Sequence, residues 1–307
     1  MGSLFCRVEG AKLRNKVLAV VLILAMLNMS LMVAVYAAQP VEQSKGGFND
    51  PLSATDRGKP SNPGGDKSKP SGGIATGTVV EAGGNRYAIV IGINNYAGSS
   101  SDLQYCVNDA QEFKDALLSI EGWSTIQITY LVDGDASHDR IMSEIATVVG
   151  AAQENDEVVF FYSGHGSVST YDVDGDGERK DECIIPVELT SSSWIWDGDL
   201  AEAFAECKSK RMMFYFDSCY AGGMIDLAGP NRLICMACGE NQLSLESSAW
   251  QNGQFSYYFV DLGMKQRLAN SNGDAYVTFE EAFDYAKANC QRQSPVANDG
   301  FTNDMAP

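Results

Sequence analysis

Histidine is nearly absent from this chain, with two in 307 residues, and basic side chains are scarce: 22 Lys and Arg stand against 40 Asp and Glu, a formal charge of -18. That balance excludes nucleic acid or an anionic membrane surface as the main partner, since both need a basic face. It suits calcium and cationic peptides instead. The first strong apolar run, Tyr87 to Gly92, continues I-N-N-Y-A-G with no G-x-G-x-x-G, which excludes a dinucleotide fingerprint. Metal-type cysteine spacing is missing too. Cys235-Met236-Ala237-Cys238 is a lone C-x-x-C within an apolar run and reads as structural burial or a disulfide rather than zinc or redox chemistry. There is no internal repeat.

What is present begins with an export signal. Arg7, Lys12, Arg14 and Lys16 precede Val17 to Ala38, an uncharged, mostly apolar run of 22 residues ending V-Y-A-A, with a cleavage site expected after Ala37 or Ala38. Residues 1–37 thus read as a signal peptide, or as an uncleaved anchor long enough to cross a bilayer. Either reading puts the folded part outside the cytosol, secreted or membrane-anchored, with the membrane touched only through that anchor. Seven cysteines follow Cys6, an odd number, so at least one thiol is expected outside any disulfide. Residues 38–85 are rich in Pro, Gly, Ser and Lys and nearly devoid of aromatics, a flexible linker or pro-segment. Its charges cancel. Removing the net +3 of residues 1–37 therefore leaves -21 on everything that follows the linker, the domain expected at 86–300 included.

Within that domain, apolar runs at Tyr87 to Gly92, Ile126 to Leu131, Glu157 to Tyr162, Cys183 to Val187, Met212 to Phe216 and Leu233 to Ala237 read as strands. Helical periodicity covers Asn108 to Leu118, Arg140 to Ala152, Leu200 to Lys208, Phe255 to Leu268 and Phe279 to Ala288. The alternation predicts an α/β fold with a mostly parallel sheet covered on both faces. Two of the runs end alike. Val158 to Gly166 (V-V-F-F-Y-S-G-H-G) and Arg211 to Gly223 (R-M-M-F-Y-F-D-S-C-Y-A-G-G) each carry a reactive side chain at a strand's C-terminal tip, where open α/β sheets gather their chemistry. His165 and Cys219 form a base and nucleophile pair on this reading: imidazole takes the thiol proton and later protonates the leaving amine. Backbone N–H groups at Gly166 and Cys219 are the expected oxyanion donors. His138, among Ala136, Ser137 and Asp139, reads as a solvent-facing first turn of a helix.

Tyr162-Ser163-Gly164-His165-Gly166 and Asp217-Ser218-Cys219-Tyr220-Ala221-Gly222 resemble the two catalytic motifs of the caspase-like cysteine peptidases, and of their metacaspase branch in particular. The resemblance covers roughly Tyr87 to Gln254. It implies a caspase-like three-layer sandwich, a cysteine endopeptidase with a Cys-His dyad and no obligatory third residue, and autoprocessing of a zymogen. It also implies an acidic pocket for Arg or Lys before the scissile bond, lined by Cys106, Asp109, Ser163 and Asp217. Two carboxylates suit a guanidinium fork through charge-assisted bonds. The expected partners are peptides or proteins with basic residues at that position. Arg232 is the basic side chain whose loop could fold toward the pocket and change that preference. A caspase-fold peptidase with an Asn preference, as in legumain-like enzymes, and a non-catalytic calcium- or peptide-binding surface domain are the alternatives.

The chemistry itself requires no cofactor, but the resemblance implies calcium as an activator, with Asp181, Asp197, Asp199 and Asp226 as ligands. Gly198 departs from the family's continuous acidic run and removes one ligand. Asp172, Asp174, Asp176 and Gly177 match only the first half of an EF-hand loop, because Cys183 stands where a bidentate Glu is required. Residues 270–281 form a second acidic loop. They read either as a weak EF-like loop or as a capped turn in which Thr278 starts the last helix and Glu281 completes its capping box.

Overall fold

The computed structural model describes residues 42–44 and 73–307, except 176 and 178. The chain divides at Val41, and everything below concerns the unit Glu42–Pro307. In chain order its strands are β1 (Glu42–Ser44), β2 (Val79–Val80), β3 (Arg86–Gly92), β4 (Ile128–Val132), β5 (Glu157–Ser163), β6 (Gly166–Val168), β7 (Glu182–Ile184), β8 (Ile195–Trp196), β9 (Met212–Asp217), β10 (Arg232–Met236), β11 (Leu245–Ser247), β12 (Asn252–Gly253), β13 (Val296–Asp299) and β14 (Asp304–Met305). The main helices are α1 (Cys106–Leu118), α2 (His138–Ala151), α3 (Asp197–Ala203), α4 (Gln254–Ser256, widening at once into the π-helical Tyr257–Lys265) and α5 (Phe279–Asn289).

Six strands form the central sheet in the order β13-β10-β9-β5-β3-β4, parallel throughout except for the antiparallel edge pair β10 and β13. Because side chains alternate across a strand, each apolar run feeds two cores. Ile89, Ile91, Phe160, Tyr162, Phe214, Phe216, Ile234 and Met236 face a layer with α2 and α3, through Ile141, Ile145 and Leu200. Ala88, Val90, Val159, Phe161, Met213, Tyr215, Leu233 and Cys235 face α1, α4 and α5, through Phe113, Phe255, Phe259, Phe279 and Phe283. The result is the three-layer α/β sandwich that the sequence pattern predicts. Phe161 stacks on Phe113 (4.4 Å between centroids) and on Tyr215 (4.5 Å), so the second core is an aromatic column.

Several expectations are adjusted. The second strand starts at Ile128, not Ile126, whose side chain stands in solvent on a 3-10 turn, Thr125–Gln127. The strand at Cys183 to Val187 is shorter, and it belongs to a separate three-stranded sheet, β6-β7-β8. Within 38–85, expected to be a flexible linker, two pieces carry defined structure. The first is β1, which pairs antiparallel with β11. The second is Ile74–Val80: the amides of Ile74 and Ala75 donate to Asp284 (2.9 Å each), those of Thr76 and Gly77 donate to Asp304 (2.7 Å each), and β2 then pairs with β14. Both pieces are held through the main chain, which any side-chain composition permits. No disulfide joins any of the seven described cysteines, and Cys235 is a buried thiol in a strand. The apolar run at Val17 to Ala38 lies outside the described residues. Among the described residues no helix is long and apolar enough to cross a membrane.

Candidate active site

Strands β5 and β9 lie side by side in parallel register with Ser163 opposite Asp217. Two residues beyond that pair come His165 on one strand and Cys219 on the other, so the topology brings both motif tips to one edge of the sheet. They touch at Gly166, where a Cβ would lie 2.2 Å from the carbonyl oxygen of Cys219; only glycine fits. The amide of Gly164 donates to the carbonyl of Asp217 (3.4 Å) across the same gap. Tyr220 then turns the chain in the left-handed region (φ 60°) into the 3-10 helix Ala221–Leu227.

His165 is almost fully buried. Its amide donates to the Tyr96 hydroxyl (2.8 Å), and the Tyr96 ring lies 4.7 Å from the imidazole. Its Nε2 is 2.7 Å from the carbonyl oxygen of Ser101. A carbonyl only accepts, so Nε2 carries the proton in that bond and the lone pair of the neutral ring sits on Nδ1. Sequence reasoning assigned no third group. A backbone carbonyl supplied from a separate loop has no side-chain signature by which it could have been found. Cys219 is buried as well, with the amide of Ser244 donating to its sulfur (3.1 Å) and the Ser244 carbonyl 3.6 Å away.

The four residues assigned to the substrate pocket converge on this edge. Asp109, on α1, accepts from the Ser163 hydroxyl (2.6 Å) and the Gly253 amide (3.0 Å). Asp217 accepts from the Ser244 hydroxyl (2.6 Å), the Ser256 hydroxyl (2.7 Å) and the Ser256 amide (3.1 Å). Both are fully buried, and both push up the hydroxyl of Tyr215, whose burial is the larger cause. Cys106, the first residue of α1, has its sulfur 3.9 Å from a third carboxylate, Glu246 of β11. Glu246 is fully buried and accepts the amides of Gln104 (2.9 Å) and Tyr105 (3.0 Å). The sequence reading missed it; its only signal was an acid in an otherwise weak strand pattern. Arg232, the basic residue that could have folded inward, is at the far end of the sheet, opposite Met212, and donates to the carbonyls of Leu227 and Phe204.

The acidic residues assigned to calcium only partly cluster as expected. Asp172, Asp174 and Asp181 bring oxygens within 4.8 Å of one another. Asp181 accepts the amides of Val173 and Asp174, yet burial pushes it up to about 6. Asp197 is pushed up to about 10, first by burial and then by the charges of Glu182, Asp226, Asp174 and Asp181. Asp226 is thus a neighbour of the group, whereas Asp199 accepts the amide of Trp196 (3.3 Å) and caps α3. Gly198 explains itself: a Cβ there would lie 2.3 Å from a carboxylate oxygen of Asp174. Asp174 occupies that space from another loop and accepts the Gly198 amide (3.1 Å). Oxygen ligands packed against one another in this way fit a hard divalent cation such as calcium. In the C-terminal loop, Glu281 completes the capping box with Thr278 (3.1 and 3.2 Å), and Asn270, Asn272 and Asp274 accept amides of their own turn. The capped-turn reading describes that loop.

Residues 86–228 match the model of the metacaspase, peptidase C14 domain family. This stretch, just under half of the chain, is similar to the metacaspase peptidase domain. Curated relatives agree: the chain is 34% identical to Metacaspase-1 of Eremothecium gossypii over 47% of this chain and 33% of that one. It is 36% identical to Metacaspase-1 of Cryptococcus neoformans var. neoformans serotype D (47% and 33%) and 34% identical to that of Saccharomyces cerevisiae (47% and 35%). The chain thus spans about a third of the length of the curated relatives it matches. A solved protein of Geobacter sulfurreducens shares the fold at a TM-score of 0.54 and 18% identity, over 70% of this chain and 93% of that one. The metacaspase match ends at residue 228, so Ser244, Glu246, Gly253 and Ser256, which contact Cys219, Cys106, Asp109 and Asp217, come from outside the matched stretch.

Proposed function

We propose that this chain is a metacaspase-like cysteine endopeptidase that cuts after Arg or Lys, with Cys219 as nucleophile and His165 as base, assisted by calcium and acting outside the cytosol. The observation that carries the reading is the convergence of Asp109, Asp217 and Glu246, three buried carboxylates, on the sheet edge that holds the two tips. A guanidinium or ammonium entering there meets acceptors already oriented by hydroxyls and amides, and gains charge-assisted bonds without reorganising the site. An Asp substrate would meet like charge. The imidazole, with Nε2 donating to Ser101, offers Nδ1 to the thiol proton. Sulfur then attacks the carbonyl carbon, the amides at Gly166 and Cys219 face the developing oxyanion, and the proton passes from imidazole to the leaving amine. Water hydrolyses the thioester and regenerates the thiol.

Calcium acts on this site through the 3-10 helix that follows Cys219, since that helix carries Asp226. The ligands come from separate loops, which must be ordered on binding, and an affinity of roughly 10⁻⁴ to 10⁻³ M is expected.

The test is a fluorogenic peptide panel with Arg, Lys, Asn or Asp before the bond, run with calcium and with chelator. Arg and Lys peptides are expected to be cut far faster than the others, and Cys219→Ala or His165→Ala to abolish turnover while the protein stays folded. A best rate on the Asn peptide would replace the pocket assignment, and full activity in either variant would remove the dyad.

A further inference from the structure

The stretch after β3, Ile93-Asn94-Asn95-Tyr96-Ala97-Gly98, carries no phosphate-binding glycines, yet the topology gives it a place. Gly92 ends β3 opposite Ser163 at the end of β5, and the amide of Ile93 donates to the Ser163 carbonyl (3.1 Å). The loop leaving β3 therefore lies beside the tip that carries His165. It reaches the histidine three times. The Ser101 carbonyl accepts from Nε2 (2.7 Å), the Tyr96 ring lies against the imidazole at an interplanar angle of 45°, and the Tyr96 hydroxyl accepts the His165 amide (2.8 Å).

The last of these contacts belongs to a closed circuit. The Tyr96 hydroxyl donates to that of Tyr162, on β5, and the Tyr162 hydroxyl donates to the His165 carbonyl (2.7 Å), with the Ile185 carbonyl beside it (3.0 Å). Both main-chain polar groups of the histidine are thus tied to two phenols that are tied to each other. Burial pushes the ionisation of both phenols far up, so each keeps the proton it donates. Gly164 leaves room for the pair: a Cβ there would lie 2.5 Å from the Tyr162 oxygen and 2.7 Å from the Tyr96 oxygen. Phenylalanine at 96 would fill the same core. What the hydroxyl adds is an acceptor for a buried N–H, and a buried amide without one has to turn to find another partner. A turn of that peptide plane carries the imidazole with it.

We propose that Tyr96 is a positioning residue for the base: its hydroxyl fixes the His165 main chain through the circuit with Tyr162, and its ring backs the imidazole, so that Nδ1 stays where the thiol proton has to be taken up. The proposal rests on the peptidase reading above and deepens it by giving His165 the side chain that orients it. Tyr96 takes no part in the bond changes. Its effect is on geometry, and a misplacement of about 1 Å at a reacting group costs on the order of 100-fold in rate.

The experiment compares the purified full chain with its Tyr96→Phe, Tyr96→Leu and Tyr162→Phe variants, in calcium and well below each variant's melting temperature. Three quantities are read: kcat and KM on the Arg peptide, and the rate at which iodoacetamide alkylates Cys219, followed by mass spectrometry of the peptide that contains it. Tyr96→Phe keeps the ring and loses the hydroxyl, so kcat is expected to fall by about 10-fold with KM unchanged. Tyr96→Leu loses both, and kcat is expected to fall by about 100-fold. Tyr162→Phe opens the circuit at its other member and is expected to match Tyr96→Phe. Alkylation of Cys219 should slow in the same order, because the same imidazole takes the thiol proton there. Should Tyr96→Leu fail to fold, the two Phe variants decide. Unchanged kcat in both of them, or a loss carried by KM alone, overturns the positioning role and leaves the peptidase reading standing. A parent with no turnover on any peptide brings down the peptidase reading, and this inference with it.

Discussion

Two of the regions in which this protein buries carboxylates keep them in opposite company. At the sheet edge, Asp109, Asp217 and Glu246 each face donors: hydroxyls of Ser163, Ser244 and Ser256 and amides of Gln104, Tyr105, Gly253 and Ser256. In the loops, Asp197 meets the amides of Glu182 (3.3 Å) and Gly198 (3.1 Å), but also the charges of four other acids. The difference separates two uses of negative charge. A carboxylate held by donors is affordable before any ligand arrives, and can receive a cationic side chain and release it. Carboxylates held against one another need a lasting counter-charge, either a proton or a metal ion.

The largest expected effect breaks the first group alone. Asp217→Asn removes a charge from the pocket and is expected to lower kcat/KM on the Arg peptide by about 100-fold, because a charge-assisted contact becomes a neutral one. The calcium midpoint should stay where it is. The same variant should also melt at a lower temperature than the parent, since three donors are aimed at Asp217 and an amide NH₂ cannot accept them all. A shifted calcium midpoint would show that the two acidic regions are one.

Asp197→Asn breaks the second group. In chelator near neutral pH it is expected to melt a few degrees above the parent, because burial and the neighbouring acids make Asp197 take up a proton on folding, a cost that Asn does not carry. With calcium it should lose most of the activation. Equal melting temperatures in chelator would mean that the loop acids do not strain the metal-free fold.

A pH series sharpens the same contrast. Asp181 and Asp197 bind protons more tightly in the folded chain than the usual carboxylate value of 3.8, so the folded state carries the extra protons and stability falls as pH rises. For Asp181 the fall spans about pH 4 to 6; for Asp197 it continues toward about 10. Melting temperature in chelator should therefore decline from pH 5 to 8, less steeply in Asp197→Asn, and flatten in saturating calcium. Identical slopes for parent and variant would remove Asp197 as a cause. The smallest effect is expected from Gly198→Ala, whose methyl displaces the Asp174 carboxylate: calcium affinity weaker by several-fold, peptide preference unchanged.

The strands and the two motif tips were legible because the signals are local: an apolar run sets a buried strand, and the Gly, His and Cys that follow it stand in the same short stretch. Asp109 and Ser163 lie 54 residues apart and meet through a hydrogen bond that neither local stretch signals. Glu246 and Ser256 were not legible, since what brings them to Cys106 and Asp217 is a strand and a helix start that fold back from far along the chain. The carbonyl of Ser101 was invisible for a different reason: every residue has one. The loop acids fell between these cases. Asp172 and Asp174 were noticed for half an EF-hand motif, but their closeness to Asp181 depends on how the loop closes, and Asp199 was spent on a helix cap that its spacing from Trp196 disguised.

The contact between Gly166 and the Cys219 carbonyl has a consequence for local opening. With no room for even a methyl group between them, neither tip can swing away alone without opening a gap against the other. The amides of Gly164, donated to Asp217, and of Ile185, donated to the His165 carbonyl (3.1 Å), should then exchange with solvent deuterium at one shared opening free energy. Slow, equal exchange at both would mark the His165 and Cys219 tips as a single cooperative unit, one that assembles together or not at all.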